Sequence, residues 1–372
     1  MKFTILGPVY PFRGGIAHYT YFLDRALQGA GLQTQLISFR RQYPTWLYPG
    51  ASDKDPSQYA LQSHASYLID PLYPWTWTKA LRSIMDWKPD TIVFQWWTTF
   101  WGPAFAFICR QVKKQGISPV FIIHNVLPHE QRFFDQWLAR LALSEGKAFI
   151  AQTDTQKVRL QSLLPEAFIE VCSFPGYPKL STVELARPEA RAKLGLPDSV
   201  STLLFFGIVR PYKGLKVLLE ALSILNQEAA KPHLIIAGEF WEDLAMYQSI
   251  IRDLDLADQV HIYNRYIPNE EVGDFFSAAD VLVAPYVEGT QSAVVSLGFG
   301  YGTPMIVSEV AAEGLDEDQR RVVTIVPTND AQSLAGAIRE FIANPPPAQT
   351  SLDDIQRGWN RIISALIHTT NR

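Results

Sequence analysis

Two short stretches bring together residue types that could hold a phosphorylated ligand. The first is Glu288-Gly289-Thr290-Gln291-Ser292, set between a strand-like run at 281–286 and a helix-like run at 293–301. Free N–H groups at a helix start can bind a diphosphate, and a glycine just before them opens backbone conformations closed to other residues. Glu288 would then face whatever hangs from the diphosphate. The second stretch is Gly207-Ile208-Val209-Arg210-Pro211-Tyr212-Lys213-Gly214, with a guanidinium and an ammonium three residues apart on a turn before a helix. Such a pair can clamp a diphosphate through charge-assisted hydrogen bonds. Its spacing is not that of a P-loop, which needs four residues between its first glycine and Gly-Lys-Ser/Thr. Taken alone, the first stretch also fits an ordinary βαβ turn, and the second fits two solvated cations.

The first half of the chain offers further polar candidates. Residues 120–123 read as a buried strand running into His124-Asn125, which puts an imidazole at the carboxyl end of a central strand. It serves there either as a ligand contact or as a cap for the next helix. The loop from Gly7 to Gly15 lacks the G-x-G-x-x-G pattern, which disfavours a nicotinamide site, yet Gly14-Gly15 at a helix start suits close approach of a ligand. His18 lies one turn inside that helix, Trp96-Trp97 ends a strand at 91–95, and His129 and Glu130 follow Pro128. His18, Trp96 and His129 are weaker ligand-contact candidates. The irregular, aromatic stretch 40–77, with Tyr43, Trp46, Tyr48, Tyr73, Trp75 and Trp77, reads as a functional loop region.

The elements that must position these residues alternate strand and helix throughout, the pattern of an α/β protein. With 372 residues, 47% of them hydrophobic, two domains with their own cores are expected. The break Phe174-Pro175-Gly176-Tyr177-Pro178 sets their boundary near residue 180, and Pro345-Pro346-Pro347 precedes a last helix. The expected divisions are therefore 1–180, 181–345 and 346–372. No run approaches the roughly 20 apolar residues of a membrane span, and residues 2–6 read as a first strand with no signal peptide before it. Cys109 and Cys172 are far apart in apolar segments, which suits buried thiols in a reducing compartment and builds no metal cluster. A cytoplasmic protein is expected.

The net charge of −4 is unevenly spread. Residues 1–180 carry 18 Lys+Arg against 12 Asp+Glu, and residues 181–372 carry 15 against 25. Eight of the ten tryptophans precede residue 140. Either the basic, Trp-rich half contacts an anionic membrane surface, peripherally on its inner face, or the tryptophans are core and the charge is chance. Nothing reads as a Lys/Arg stripe interleaved with aromatics, so nucleic acid is not an expected partner.

The run ADVLVAPY followed by EGTQSAVVSLGFGYGTPMI resembles the C-terminal signature of the family-four retaining glycosyltransferases. The resemblance covers most of the chain and is strongest over 203–308. It implies a GT-B fold: two facing Rossmann-like domains with parallel sheets and a C-terminal helix crossing back onto the first. It also implies an acceptor-binding first domain and a second domain that binds a nucleotide sugar. The stretch 40–77, with His18, Trp96 and His129, would then lie on the acceptor side. Glu288 would hold the sugar hydroxyls, and Arg210, Lys213 and the N–H groups of Gly289, Thr290, Gln291 and Ser292 would neutralise the leaving phosphates. Tyr266-Ile267-Pro268 resembles the base-binding turn, Gly14 and Gly15 would border the donor phosphates, and His124 would lie near the reacting sugar. No cofactor is implied, and with no acidic D-x-D cluster no metal is expected. The reaction implied is transfer of a sugar from a nucleoside diphosphate to a glycan or lipid-linked acceptor. A sugar-nucleotide 2-epimerase or a non-catalytic sugar-nucleotide-binding protein of the same fold are the alternatives. Two departures stand out: Ile208 occupies the place of the family's arginine, and Ser296 or Leu297 that of a second glutamate, which binds ribose in the family.

Overall fold

The computed structural model describes residues 1–43, 50, 52–58, 61–128, 132–181, 184–227, 231–289, 291–346 and 352–371. The chain divides into two compact units. One comprises Met1–Asp55, Ala60–Ser173 and Arg357–Arg372, and the other Pro56–Tyr59 and Phe174–Gln356.

In the first unit the elements are β1 (Lys2–Leu6), α1 (Gly15–Gly29), β2 (Gln33–Phe39), β3 (Ser66–Ile69), α2 (Trp75–Trp87), β4 (Thr91–Trp96) and α3 (Gly102–Lys113), then β5 (Ser118–Ile123), α4 (Asp135–Leu143), β6 (Ala148–Ala151), α5 (Asp154–Leu163) and β7 (Ile169–Val171). Among the described residues they build a parallel sheet in the order β3-β2-β1-β4-β5-β6-β7. Every residue of β4 and β5 is buried, as expected of near-continuous apolar runs covered on both faces. The strand order turns back on itself between β1 and β4. The stretch 40–77, expected to be irregular, contains β3 pairing in parallel with β2, and α2 begins at Trp75. The single apolar pair in Ser66-Tyr67-Leu68-Ile69 is too short a signal to mark a strand without its neighbour. Trp46 and Tyr48 lie outside the described residues.

The second unit runs α6 (Arg187–Lys193), β8 (Thr202–Phe206), a 3-10 turn at Pro211–Lys213, α7 (Leu215–Gln227), β9 (His233–Ala237), α8 (Leu244–Asp253), β10 (Val260–Tyr263) and α9 (Asn269–Ala278). It continues with β11 (Val281–Ala284), α10 (Ala293–Tyr301), β12 (Met305–Ser308), α11 (Glu317–Arg321), β13 (Thr324–Val326), α12 (Ala331–Ala343) and α13 (Leu352–Asn371). Its parallel sheet has the order β10-β9-β8-β11-β12-β13. From β8 the chain moves outward through β9 and β10, then returns to place β11 on the other side of β8. In open α/β sheets such a reversal leaves a crevice at the carboxyl ends of the two strands, where ligands bind.

From Arg357 onward α13 belongs to the first unit. There Trp359 is buried, its ring 5.2 Å from that of Tyr19 and 6.4 Å from that of Phe22 on α1. Near its end Thr91 and Thr370 share a hydroxyl hydrogen bond of 2.7 Å.

Candidate functional site

The two phosphate-binding candidates of the second unit meet at its switch point. The turn Pro211–Lys213 follows β8 and the loop 285–292 follows β11, so both lie at the carboxyl ends of neighbouring strands. They are hydrogen-bonded to each other: the carbonyl of Tyr212 accepts from the N–H of Val287 at 2.7 Å and of Glu288 at 3.3 Å. Gly214 makes this approach feasible, because a Cβ there would stand 2.0 Å from the Pro285 carbonyl oxygen. Gly238 does the same on the β9 side, where a Cβ would stand 2.0 Å from the carbonyl oxygen of Gly207.

Lys213 is the central group. It is only 8% exposed, and its ammonium lies 5.6 Å from the centroid of the Tyr286 ring. A Cβ on Gly207 would stand 3.0 Å from that ammonium and 3.2 Å from Cγ2 of Val294, in the first turn of α10. Glycine thus leaves a space shared by the ammonium and the helix start. No carboxylate among the described residues lies within ion-pair distance of Lys213. Burial, and then the neighbouring charge of Arg210, pull its pKa down to about 8. Arg210 lies over the indole of Trp241, its guanidinium carbon 5.2 Å from the ring centroid. An isolated bridge between Val209 and Phe240 and the N–H of Trp241 donating to the Val209 carbonyl at 3.1 Å fix that ring beneath it.

The opposite wall is the start of α10. Ser292 caps the helix by accepting the Val295 N–H at 3.2 Å, and its own hydroxyl donates to the Tyr286 hydroxyl at 3.0 Å. Ser308 in turn donates to the Tyr286 carbonyl at 2.6 Å. Glu288 is exposed at the loop's outer edge, and Gly289 takes φ +124°, a conformation that favours glycine. Thr290 lies outside the described residues. Gln291 is half-buried, and Ile267 is buried in the turn before α9. Ser296 and Leu297 are buried on α10, the Ser296 carbonyl accepting from Tyr177 N–H.

In the first unit Gly14, at φ +109°, precedes α1 with open space where a side chain would begin. The loop before it is strapped by residues 53–55: Arg13 N–H donates to the Asp53 carbonyl, Asp55 N–H donates to that of Pro11, and Lys54 sits 3.5 Å over the Phe12 ring. His18, whose N–H donates to the Gly14 carbonyl, is half-buried. His124 follows β5 as expected but is only 2% exposed, its Nε2 donating to Gln95 Oε1 at 2.7 Å and its ring edge-on to Tyr19 at 4.9 Å. Burial lowers its pKa to about 3, so the imidazole is neutral across the physiological range. Trp96 lies wholly in the core with its indole N–H on the Val126 carbonyl, and only Trp97 is half-exposed, bonded to the Tyr43 hydroxyl at 2.6 Å. His129 lies outside the described residues.

The structure therefore brings Arg210, Lys213, Glu288, Gly289, Gln291 and Ser292 to one switch point, while Gly14, Gly15, His18, Trp96 and His124 belong to the other unit. Sequence reasoning passed over Tyr286 and Trp241. The Pro-Tyr that ends ADVLVAPY was the available signal for Tyr286; nothing near Trp241 marked it.

Residues 200–344 match the family described as Glycosyl transferases group 1. The match lies within the second unit. Among curated proteins, this chain is 29% identical over 170 residues to a D-inositol 3-phosphate glycosyltransferase of Streptomyces coelicolor, covering 43% of this chain and 36% of that protein. It is 30% identical over 210 residues to D-inositol 3-phosphate glycosyltransferase 1 of Catenulispora acidiphila, covering 52% and 48%. The chain thus spans between about a third and a half of these relatives. Among solved structures it is similar to Anabaena HepE in complex with UDP and glucose, with a TM-score of 0.67 at 15% identity over 100% of this chain and 97% of that one. It is also similar to sucrose-phosphate synthase from Thermosynechococcus elongatus, with a TM-score of 0.66 at 18% identity over 98% and 94%. These likenesses extend across both units and give the chain the GT-B fold.

Proposed function

We propose that the protein transfers a hexose from a nucleoside-diphosphate sugar to a glycan or lipid-linked acceptor, with retention of configuration. The carrying observation is Lys213, only 8% exposed and with no carboxylate in ion-pair range among the described residues, at a switch point beside a helix N-terminus. A buried charge left without a counter-ion is costly, and an arriving anion supplies the missing partner. Arg210, already oriented over Trp241, and the N–H groups ahead of α10 add to the same anion site. Uridine diphosphate sugars are the first donors to test, since HepE of the same fold holds UDP and glucose. The printed names of the curated relatives make a phosphorylated polyol one acceptor to include.

In the reaction the bond from the sugar C1 to the β-phosphate oxygen breaks as the acceptor hydroxyl oxygen bonds to C1 on the same face, and the hydroxyl proton passes to the departing phosphate oxygen. Negative charge collects on the departing diphosphate, where Arg210, Lys213 and the α10 N-terminus oppose it. Groups preorganised in this way are commonly the largest catalytic term, each worth on the order of 10²–10³ in rate. We assign counter-charge to these cations with no metal, and we assign Glu288 to the sugar hydroxyls. The buried, neutral His124 contributes polarity and backbone order and does not act as a base. We assign His18, in the first unit, to the acceptor side.

Calorimetric titration with UDP, GDP and ADP, combined with turnover of labelled donors, tests this reading. Glu288→Gln should keep diphosphate affinity near wild type while transfer falls by about 10²-fold or more. Parallel loss of both would reduce Glu288 to a loop-shaping residue. A wild-type protein that binds none of the three nucleotides would end the proposal, and binding without turnover would leave a sugar-nucleotide-binding protein.

A further inference from the structure

We infer that the outer face of the α2–α3–α4 layer docks reversibly on an anionic lipid bilayer. Right-handed connections carry the chain from β3 through β4 and β5 to β6 in one direction across the sheet, so these three helices cover the same face. Helix α3 packs between the other two. Because each helix follows a parallel strand, all three begin at the same edge of the sheet. The most exposed aromatic side chains among the described residues lie on this edge: Trp75, the first residue of α2, at 66%, and Phe133 and Trp137, at the start of α4, at 98% and 65%. Tyr73 joins them, its ring tilted 35° to that of Trp75 at 4.7 Å and also exposed. The remaining exposed large apolar side chains among the described residues also belong to the first unit.

The charge on this face is complementary to acidic lipid. Lys79 and Arg82 on α2 and Arg140 on α4 are exposed, while the exposed Arg110 and Lys113 on α3 pair with Glu145 at 2.8 and 3.0 Å; Asp86 is the one exposed acidic residue on the three helices. Asp135, the other acid on them, is buried and accepts from Thr99. The two aromatic points are separated by the width of α3, roughly 20 Å at ordinary helix spacing. A protein partner would need two pockets at that spacing. A fluid bilayer admits rings wherever they stand, which favours lipid as the occupant. Rings with an apolar body and a polar edge settle at the headgroup boundary, and lysine and arginine stems extend past it to the phosphates. The docking goes beyond the transfer reaction and does not depend on it.

Sedimentation of the full chain with vesicles of phosphatidylcholine, with and without phosphatidylglycerol, tests the inference. Wild type should pellet with phosphatidylglycerol vesicles at ~0.05 M salt and be released toward ~0.5 M, where the screening length falls to a few ångströms. Trp75→Ser with Trp137→Ser should lower the partition coefficient by about tenfold or more, since each exposed ring is worth roughly that when buried. Lys79→Glu with Arg82→Glu should lower it by at least about 25-fold, near fivefold per cation removed. These positions are exposed, and circular dichroism verifies that each variant is folded; if one pair fails to fold, the other carries the test. Supernatant-only protein with phosphatidylglycerol at low salt overturns the inference, as does wild-type pelleting by folded variants of both pairs. A dimer in sedimentation velocity that both pairs disperse without lipid would overturn it too, by making the face an interface between copies.

Discussion

At the scale of single residues, the proposed anion site pairs its two cations with aromatic rings. Arg210 rests on Trp241 and Lys213 faces Tyr286. Arg210→Ala should weaken UDP binding by about 1.5–3 kcal/mol, the worth of a charged hydrogen bond. Trp241→Ala should cost about 0.5–2 kcal/mol through loss of the ring that aims the guanidinium. Equal affinity in both variants and wild type, measured by calorimetry, would take Arg210 out of the site. Lys213 adds a pH signature. Its folded pKa of about 8 lies below the ordinary lysine value, so between about pH 8 and 10 the unfolded chain binds more protons and stability rises with pH. A bound diphosphate favours the ammonium, so UDP binding near pH 8.5 should take up a proton and affinity should fall as pH rises through about 8. Titration in two buffers of different ionisation enthalpy reads that proton directly. Lys213→Met should remove binding while raising the melting temperature of the ligand-free protein, because a buried charge costing up to about 3 kcal/mol is gone.

At the scale of elements, α10 is confined by its two glycines in different ways. Gly298 packs on the sheet: a Cβ there would stand 2.4 Å from Met305 Sδ and 3.0 Å from Leu282 Cδ2. Gly300 faces the chain leaving the first unit, with a Cβ position 2.1 Å from the Tyr177 carbonyl oxygen. That carbonyl is backbone and cannot swing aside. Gly300→Ala should therefore destabilise by about 1–3 kcal/mol and, by tilting the helix that carries Ser292, weaken UDP binding. Gly336→Ala makes the contrast: in mid-α12 its Cβ would meet nothing nearer than Arg339 at 4.0 Å, so a gain of about 0.5–1 kcal/mol is expected. Thermal melts of both variants decide whether close backbone approach, and not helix propensity, sets the glycine at 300.

At the scale of the whole molecule, α13 ties the end of the chain to its beginning. Trp359 is buried against Tyr19 and Phe22 of α1. Trp359→Ala should destabilise the first unit by about 3–5 kcal/mol, the usual result of emptying a large buried aromatic site. Calorimetric unfolding should then show the first unit melting earlier while UDP still shifts the melting of the second. A single unshifted transition would mean that the helix adds little to the first unit.

Much of this protein was legible without coordinates because it is encoded locally. The apolar run at 120–123 and that at 281–286 could only be buried parallel strands, and Gly289 and Gly302 mark turns by their own conformational freedom. Alternation of such strands with helices, and the glycine-flanked turns after them, were enough to read two α/β halves and to point at Arg210, Lys213 and Glu288, while the Rossmann-like arrangement came from the family resemblance. What the tertiary structure decided was burial. Trp96 and Trp97 are adjacent in sequence, yet one is core and the other half-exposed, because successive side chains on a strand face opposite ways. The tryptophan excess likewise divides into buried Trp101 and exposed Trp75 and Trp137. Lys213 reads in sequence as a lysine on a turn. Its pKa near 8 arises because loops from β8 and β11, some 75 residues apart, close around it at the switch point. Local spacing fixes which way the backbone turns, but desolvation is the sum over neighbours that only the assembled sheet brings within reach.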